Sequence, residues 1–157
     1  MRVFMPFLIL LFLLPTLSAQ QTCEKLKTLR LAHSEITSAE HLPTGKLNRS
    51  GNAPPLDLSE RCVVKVISRP TSDSEIKIEV WLPASGWNGK FQQLGNGGWA
   101  GSIPTHSLAV ALQRGYVSAG TNTGHDEGHP DGPAAWAIGH PEKLIDYGHR
   151  SLHETAV

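Results

Sequence analysis

A run of closely spaced glycines is the part of this chain best suited to chemistry. Gly95, Gly97, Gly98 and Gly101 lie within seven residues, after an apolar stretch that ends at Leu94. Glycine permits positive φ and lets the backbone approach a ligand closely. A turn leaving a strand in this way can direct consecutive N–H groups at one point. Such a point suits an anion or a developing oxyanion.

Three interpretations of the run compete. The first is a tight strand-to-helix turn without a ligand. The second is a dinucleotide loop, since Gly95, Gly97 and Ala100 fit the loose fingerprint. That fingerprint also needs an acidic residue about 20 positions on, and residues 120–123 contain none. The third is the glycine-rich oxyanion loop of an α/β-hydrolase, between its third strand and its first helix.

Before the loop, the pattern predicts two antiparallel strands. Residues 62–67 are rich in β-branched side chains, and residues 76–82 alternate apolar and polar side chains. Strict alternation is typical of a strand with one buried face, so the pair is expected at a sheet edge. Trp81 then falls on the exposed face, and Pro83 ends the strand.

Around and after the loop, the pattern predicts a crossover. Residues 90–94 form a third strand, residues 108–114 a helix that ends at Gly115, and residues 116–121 a buried parallel strand. Strand, loop, helix and strand would make a right-handed unit. The predicted fold class is therefore α/β, with an antiparallel edge leading into parallel strands.

The N-terminus has the pattern of a signal peptide. Arg2 precedes an apolar run that ends in small residues, with cleavage expected after Ala19. The run is shorter than the roughly 20 residues of a membrane span. Export would place Cys23 and Cys62 in an oxidising compartment, where pairing is the default. Each could instead pair with a cysteine outside this chain.

The overall charge indicates no charged macromolecular partner. Lysine plus arginine and aspartate plus glutamate both number 14. The formal net charge is therefore zero, and we expect neither nucleic acid nor, after signal cleavage, a membrane as partner.

The segment after the last strand contains several polar side chains. Residues 125–131 hold five candidate metal ligands, but Gly128 and Pro130 argue against the helix that would bring His125 and His129 together. A solvated polar loop is the favoured interpretation, with a metal-binding segment as the lesser alternative. A final helix is expected from Pro141.

Several motifs in order carry a family resemblance. They are Trp81-Leu82-Pro83, Trp87 to Phe91, Gly95 to Ile103, Gly115-Tyr116-Val117, Thr121 to His125, Trp136-Ala137 and Asp146 to Arg150. Together they resemble the tannase and feruloyl esterase family of secreted α/β-hydrolases. Asn122 departs from this pattern, in which an acidic residue is expected.

The resemblance implies a division of the chain and an incomplete catalytic set. Residues 1–19 would be the signal peptide, 20–61 an N-terminal covering segment, and 62–157 the N-terminal portion of an α/β-hydrolase domain. The serine nucleophile, the acid, the histidine and a calcium-binding lid would all follow residue 157. No cofactor is expected in this chain, and calcium is implied only for the lid.

The function expected from the resemblance is hydrolysis of phenolic esters, feruloyl or galloyl, through a serine acyl-enzyme. Gly97 and Gly98 are the candidate oxyanion donors through their backbone N–H groups, and Trp99 is a candidate pocket wall or a core residue. This chain alone is expected to be inactive. The alternative is a short secreted protein that is catalytically inert or acts as a binding module.

Overall fold

The structure is a computed structural model that describes residues 19–49 and 51–157, with side chains from residue 22. The predicted signal peptide lies outside the described residues, apart from Ala19. The strands are β1 Ser34–Leu42, β2 Gly45–Leu47, β3 Leu56–Leu58, β4 Arg61–Ser68, β5 Ile76–Pro83, β6 Phe91–Leu94 and β7 Val117–Thr121. The α-helices are α1 Ala19–Lys25, α2 Thr105–Gln113, α3 Pro141–Ile145 and α4 Ser151–Ala156. Short 3₁₀ turns cover Leu26–Thr28 and Ala135–Ala137, and a π-helical turn covers Asp146–Arg150.

One five-stranded sheet organises the molecule, in the order β1-β4-β5-β7-β6. Pairing is antiparallel from β1 through β4 and β5 to β7, and parallel between β7 and β6. The predicted α/β class, with an antiparallel edge leading into parallel strands, is confirmed. The strands β2 and β3 form a separate small hairpin.

The edge strand β1 was missed in the sequence. It pairs with β4 along its length, so residues 34–42 belong to the sheet rather than to a cover alone. Only Ile36 and Ala39 are buried in it, and the register shifts between Ile36 and Ser38. This bulge interrupts the alternation by which a half-buried strand is recognised.

Strand β5 was predicted at the edge with Trp81 exposed, and both predictions are wrong. β5 lies between β4 and β7, and Trp81 is 5% exposed. Its ring packs in a cluster with Val63 and with Leu108 and Leu112 of α2. The opposite face of the sheet carries a second cluster that includes Ile76 and Ile78. Helix α2 therefore covers the face that the sequence pattern assigned to solvent.

The predicted crossover is present. β6, the glycine run, α2 and β7 follow one another, and β6 and β7 are parallel neighbours. Helix α2 ends at Gln113, and Gly115, two residues on, has φ of +79° and donates its N–H to the carbonyl of Leu112. This is the left-handed C-terminal cap expected of glycine.

The disulfide between Cys23 and Cys62 is present and ties α1 to β4. The pairing expected from the sequence is confirmed. Among the described helices, none has the length and apolar content needed to cross a bilayer.

The last element begins at Pro141 as predicted, but it is not a uniform α-helix. A π-helical turn over Asp146–Arg150 separates α3 from α4. Such turns widen a helix locally and occur often at functional sites.

Candidate active-site edge

The carboxyl ends of β6 and β7 lie at the same edge of the sheet because these strands are parallel. The glycine run leaves β6 at this edge, and residues 122–127 leave β7. β5 is antiparallel to β7, so its first residues lie here too, and the Lys77 N–H donates to Asn122 Oδ1. In open α/β sheets this edge is the usual ligand site.

A tight turn over residues 97–100 forms the exposed tip of the glycine run, and we call it the glycine turn. The Ala100 N–H donates to the Gly97 carbonyl at 3.2 Å, and Gly98 has φ of +56°. Both Gly97 and Gly98 are exposed, and an added Cβ would meet nothing within 4 Å at either. Their N–H groups have no hydrogen-bond acceptor among residues 19–49 and 51–157. The two predicted donors are therefore unpaired and belong to exposed residues.

Side chains from other elements hold the carbonyls of the glycine turn. The hydroxyl of Tyr147 donates to the carbonyl of Gly98, and Nε2 of His125 lies 3.0 Å from the carbonyl of Trp99. The next carbonyl, of Ala100, accepts from the Thr123 hydroxyl and from the Asn96 side-chain amide. These contacts are 3.2 and 3.3 Å long.

Trp99 is neither a core residue nor a free surface residue. Its side chain is 49% exposed. It stacks on Tyr147 with 5.2 Å between ring centroids and meets the edge of Trp136 at 6.2 Å. Trp99 is thus packed against other rings and still about half exposed to solvent.

His125 is a functional candidate whose position the sequence did not predict. The favoured interpretation placed it in a solvated loop, but it is 4% exposed and stacks on Trp136 with centroids 4.0 Å apart. Its Nδ1 lies 3.3 Å from the Thr123 hydroxyl. Gly101 has no room for a Cβ because His125 lies against it. The useful signal was its place at the end of β7, opposite the glycine run.

The rest of the predicted polar loop is solvated. Residues 126–131 are exposed, and Asp126 pairs with Lys77 at 2.7 Å. The hydrogen bond from Lys77 holds the pKa of Asp126 below its ordinary value. Nowhere in the described ranges do three or more His, Cys, Asp or Glu side chains gather as a metal site would require.

Asn122, where the resemblance led us to expect an acidic residue, has a structural role. It is 2% exposed, and its Oδ1 accepts from the N–H groups of Lys77 and Gly124. Its Nδ2 lies 3.3 Å from Asp126. The amide thus fastens the loop after β7 to the start of β5.

A buried ion pair lies beneath this edge. Asp146 is fully buried and accepts from Arg150 and, at 3.1 Å, from the hydroxyl of Ser74. Arg150 also binds Glu142 at 2.7 Å. Burial acts to lower the pKa of Arg150, but its hydrogen bonds to Glu142 and Asp146 outweigh it and raise that pKa. The pair anchors the π-helical turn to the loop before β5.

The three serines at or near the site have other partners or are buried. Ser102 donates to Glu127, Ser118 donates to the carbonyl of Leu108, and Ser151 is fully buried. None of these serines contacts a histidine within the described residues. These three serines therefore form no nucleophile–base pair within the described residues.

The mixed sheet, the crossover and the glycine run at the carboxyl edge define the class as α/β, the N-terminal portion of an α/β-hydrolase. The family model described as "Tannase and feruloyl esterase" matches residues 62–157. The chain belongs to the tannase and feruloyl esterase family.

Relatives support this assignment. An uncharacterized esterase of Xanthomonas campestris pv. campestris is 41% identical over 143 residues, which are 91% of this chain and 24% of that protein. A probable feruloyl esterase B of Aspergillus clavatus is 33% identical over 148 residues, 88% of this chain and 27% of that protein. The chain thus spans about a quarter of the length of the curated relatives it matches.

Solved structures give the same picture. The crystal structure of feruloyl esterase B from Aspergillus oryzae superposes with a TM-score of 0.74 at 27% identity, covering 88% of this chain and 27% of that one. Tannin acyl hydrolase from Aspergillus niger, at 18% identity and a TM-score of 0.57, supports the fold alone.

Proposed function

We propose that this chain is the N-terminal part of a carboxylic ester hydrolase that cleaves phenolic esters through a serine acyl-enzyme. The observation that carries the proposal is the glycine turn. Its Gly97 and Gly98 N–H groups are unpaired, both residues are exposed, and there is open space where a side chain would begin. A relative named feruloyl esterase B supports the substrate class.

In this mechanism the serine comes from the part of the protein beyond residue 157. Its attack on the ester carbonyl gives a tetrahedral oxyanion, which an N–H of Gly97 or Gly98 stabilises. Collapse releases the alcohol and leaves the acyl-enzyme, and water then releases the acid. Removing one such donor typically lowers turnover by about 10²–10³.

Trp99 is the candidate wall for the aromatic part of the substrate. Its ring is fixed by Tyr147 and half exposed beside the donors. A phenolic ring of a feruloyl or galloyl group could therefore pack on it as the carbonyl reaches the glycine turn.

The proposal is tested with methyl ferulate and methyl gallate. The complete gene product that contains residues 1–157 should hydrolyse at least one of them and prefer it to methyl acetate. The chain ending at Val157 should hydrolyse neither. Turnover by the short chain alone, or no turnover by the complete product, would contradict the proposal.

We also propose export from the cytoplasm. The pattern of residues 1–19 and the Cys23–Cys62 disulfide support it. The exported protein should begin at Gln20 when its N-terminus is sequenced. Calcium, which the resemblance assigns to the lid, is proposed for no residue of this chain.

A further inference from the structure

The glycine turn needs support that its own sequence does not supply. Glycine loses more conformational freedom on ordering than any other residue. One internal bond, between the Ala100 N–H and the Gly97 carbonyl, closes the turn. An oxyanion donor must nevertheless be fixed before the charge develops, because reorganising it during reaction would cost part of its effect.

We propose that Tyr147 and His125 are positioning residues that hold the glycine turn in its donor conformation. This inference rests on the proposed function. Tyr147 lies in the π-helical turn and His125 in the loop after β7. Two separate elements therefore hydrogen-bond to consecutive carbonyls of the glycine turn. Neither residue touches the reacting atoms in this proposal.

The planarity of the peptide group explains how hydrogen bonds to the carbonyl oxygens orient the N–H groups. Within one planar trans peptide, the carbonyl and the next N–H point in opposite directions. Tyr147 fixes the Gly98 carbonyl and so orients the N–H of Trp99. His125 fixes the Trp99 carbonyl and so orients the Ala100 N–H toward Gly97. That last bond fixes the Gly97 carbonyl, which orients the free N–H of Gly98.

Further contacts fix the positions of both side chains. His125 is buried between Trp136 and Gly101, and its Nδ1 lies 3.3 Å from the Thr123 hydroxyl. Because a carbonyl accepts only, its Nε2 must carry the proton toward Trp99. Tyr147 follows directly after Asp146, whose buried pair with Arg150 anchors the same turn of helix.

The experiment replaces the hydrogen-bonding groups and keeps the ring packing where the chemistry allows. In the complete gene product, Tyr147→Phe removes one hydroxyl and leaves the stack on Trp99. His125→Leu removes the donor, and His125→Gln restores one. Tyr116→Phe and His106→Gln are the controls: the Tyr116 ring packs against Arg114, His106 is exposed, and neither side chain forms a hydrogen bond within residues 19–49 and 51–157.

Two readouts are measured. With methyl ferulate, kcat should fall about 10- to 100-fold in Tyr147→Phe and His125→Leu, with KM within about twofold and partial recovery in His125→Gln. Hydrogen–deuterium exchange of the Ala100 amide, whose N–H is bonded to the Gly97 carbonyl, should become about fivefold faster in the first two variants. The controls should match wild type in both.

The two proposals fail differently. If the wild-type product does not turn over the ester, the proposed function fails, and the exchange rates alone decide the role of Tyr147 and His125. Unchanged exchange in both variants overturns that role. If the enzyme is active, that role is also overturned by an unchanged kcat, or by a loss of kcat/KM that comes from KM alone.

Discussion

At the residue scale, the glycines of the run differ in the space available for a side chain. Gly97 and Gly98 face open space, whereas a Cβ at Gly101 would lie 2.7 Å from the ring and the carbonyl of His125. The first two positions keep a path to the donors clear. Gly101 instead lets the loop after β7 reach the glycine turn.

Gly101→Ala should therefore destabilise the protein by about 1–3 kcal/mol, because backbone atoms of the opposing loop must move. Gly148→Ala is the matched control, since Gly148 lies in the π-helical turn with open space around it. It should be neutral or stabilise by up to about 1 kcal/mol. Urea denaturation of both variants measures the difference, and equal stabilities would refute the close contact.

The Lys77–Asp126 pair makes a prediction about pH. The pKa of Asp126 is lowered in the folded protein, so the pair stabilises at pH values above the unfolded pKa. That contribution is lost as the pH falls through the lower, folded pKa. The pair is largely exposed, so the effect on stability should be small.

Lys77→Met should raise the pKa of Asp126 toward its ordinary value, as read from a carboxyl titration by NMR. Lys65→Met should leave it unchanged, because Lys65 pairs with Glu79 instead. An Asp126 pKa that is the same in all three proteins would show that Lys77 does not cause the shift.

At the element scale, the π-helical turn depends on the buried pair of Asp146 and Arg150. Arg150→Met would leave the fully buried Asp146 without its cation and should destabilise the protein by about 3–5 kcal/mol. Arg69→Met breaks an exposed pair with Glu75 and should cost at most about 1 kcal/mol. Comparable losses in the two variants would argue against this anchoring.

The disulfide is the second stabilising feature at the element scale. It closes a loop of 39 residues that contains β1, and Cys23→Ser with Cys62→Ser should cost about 2–4 kcal/mol. The urea midpoint of the double variant measures this cost. Peptide mapping without reductant should find the two cysteines joined in the wild type, and a different pairing would contradict the structure.

At the scale of the whole molecule, the sequence predicted the features that depend on residues close together in the chain. The crossover from β6 through α2 to β7 has local signals in its glycines, its helical period and its capping Gly115. The candidate site followed from the same stretch. Membership of the family followed from the order of its motifs, with residues 62–157 matched as expected.

Features that depend on contacts between distant parts of the chain could not be predicted from the sequence pattern. The bulge in β1 hides its period, and α2 buries Trp81 on the face that alternation assigns to solvent. His125 lies in a polar run, and its contacts with Trp136 and Gly101 remove it from water. Each error arises where a tertiary contact overrides a local preference.

The central claim is that the glycine turn holds negative charge while a serine elsewhere in the protein attacks the ester. The most direct test is kcat on methyl ferulate for Gly97→Ala and Gly98→Ala in the complete gene product, with Gly86→Ala as control. Gly86 also has positive φ and open space, so it matches the strain at Gly98. We predict that a methyl group at one of the two turn positions obstructs the approach of the ester carbonyl to the N–H donor and so lowers kcat about 100-fold or more, with folding intact and the control unchanged. Wild-type turnover in both folded variants would contradict the account.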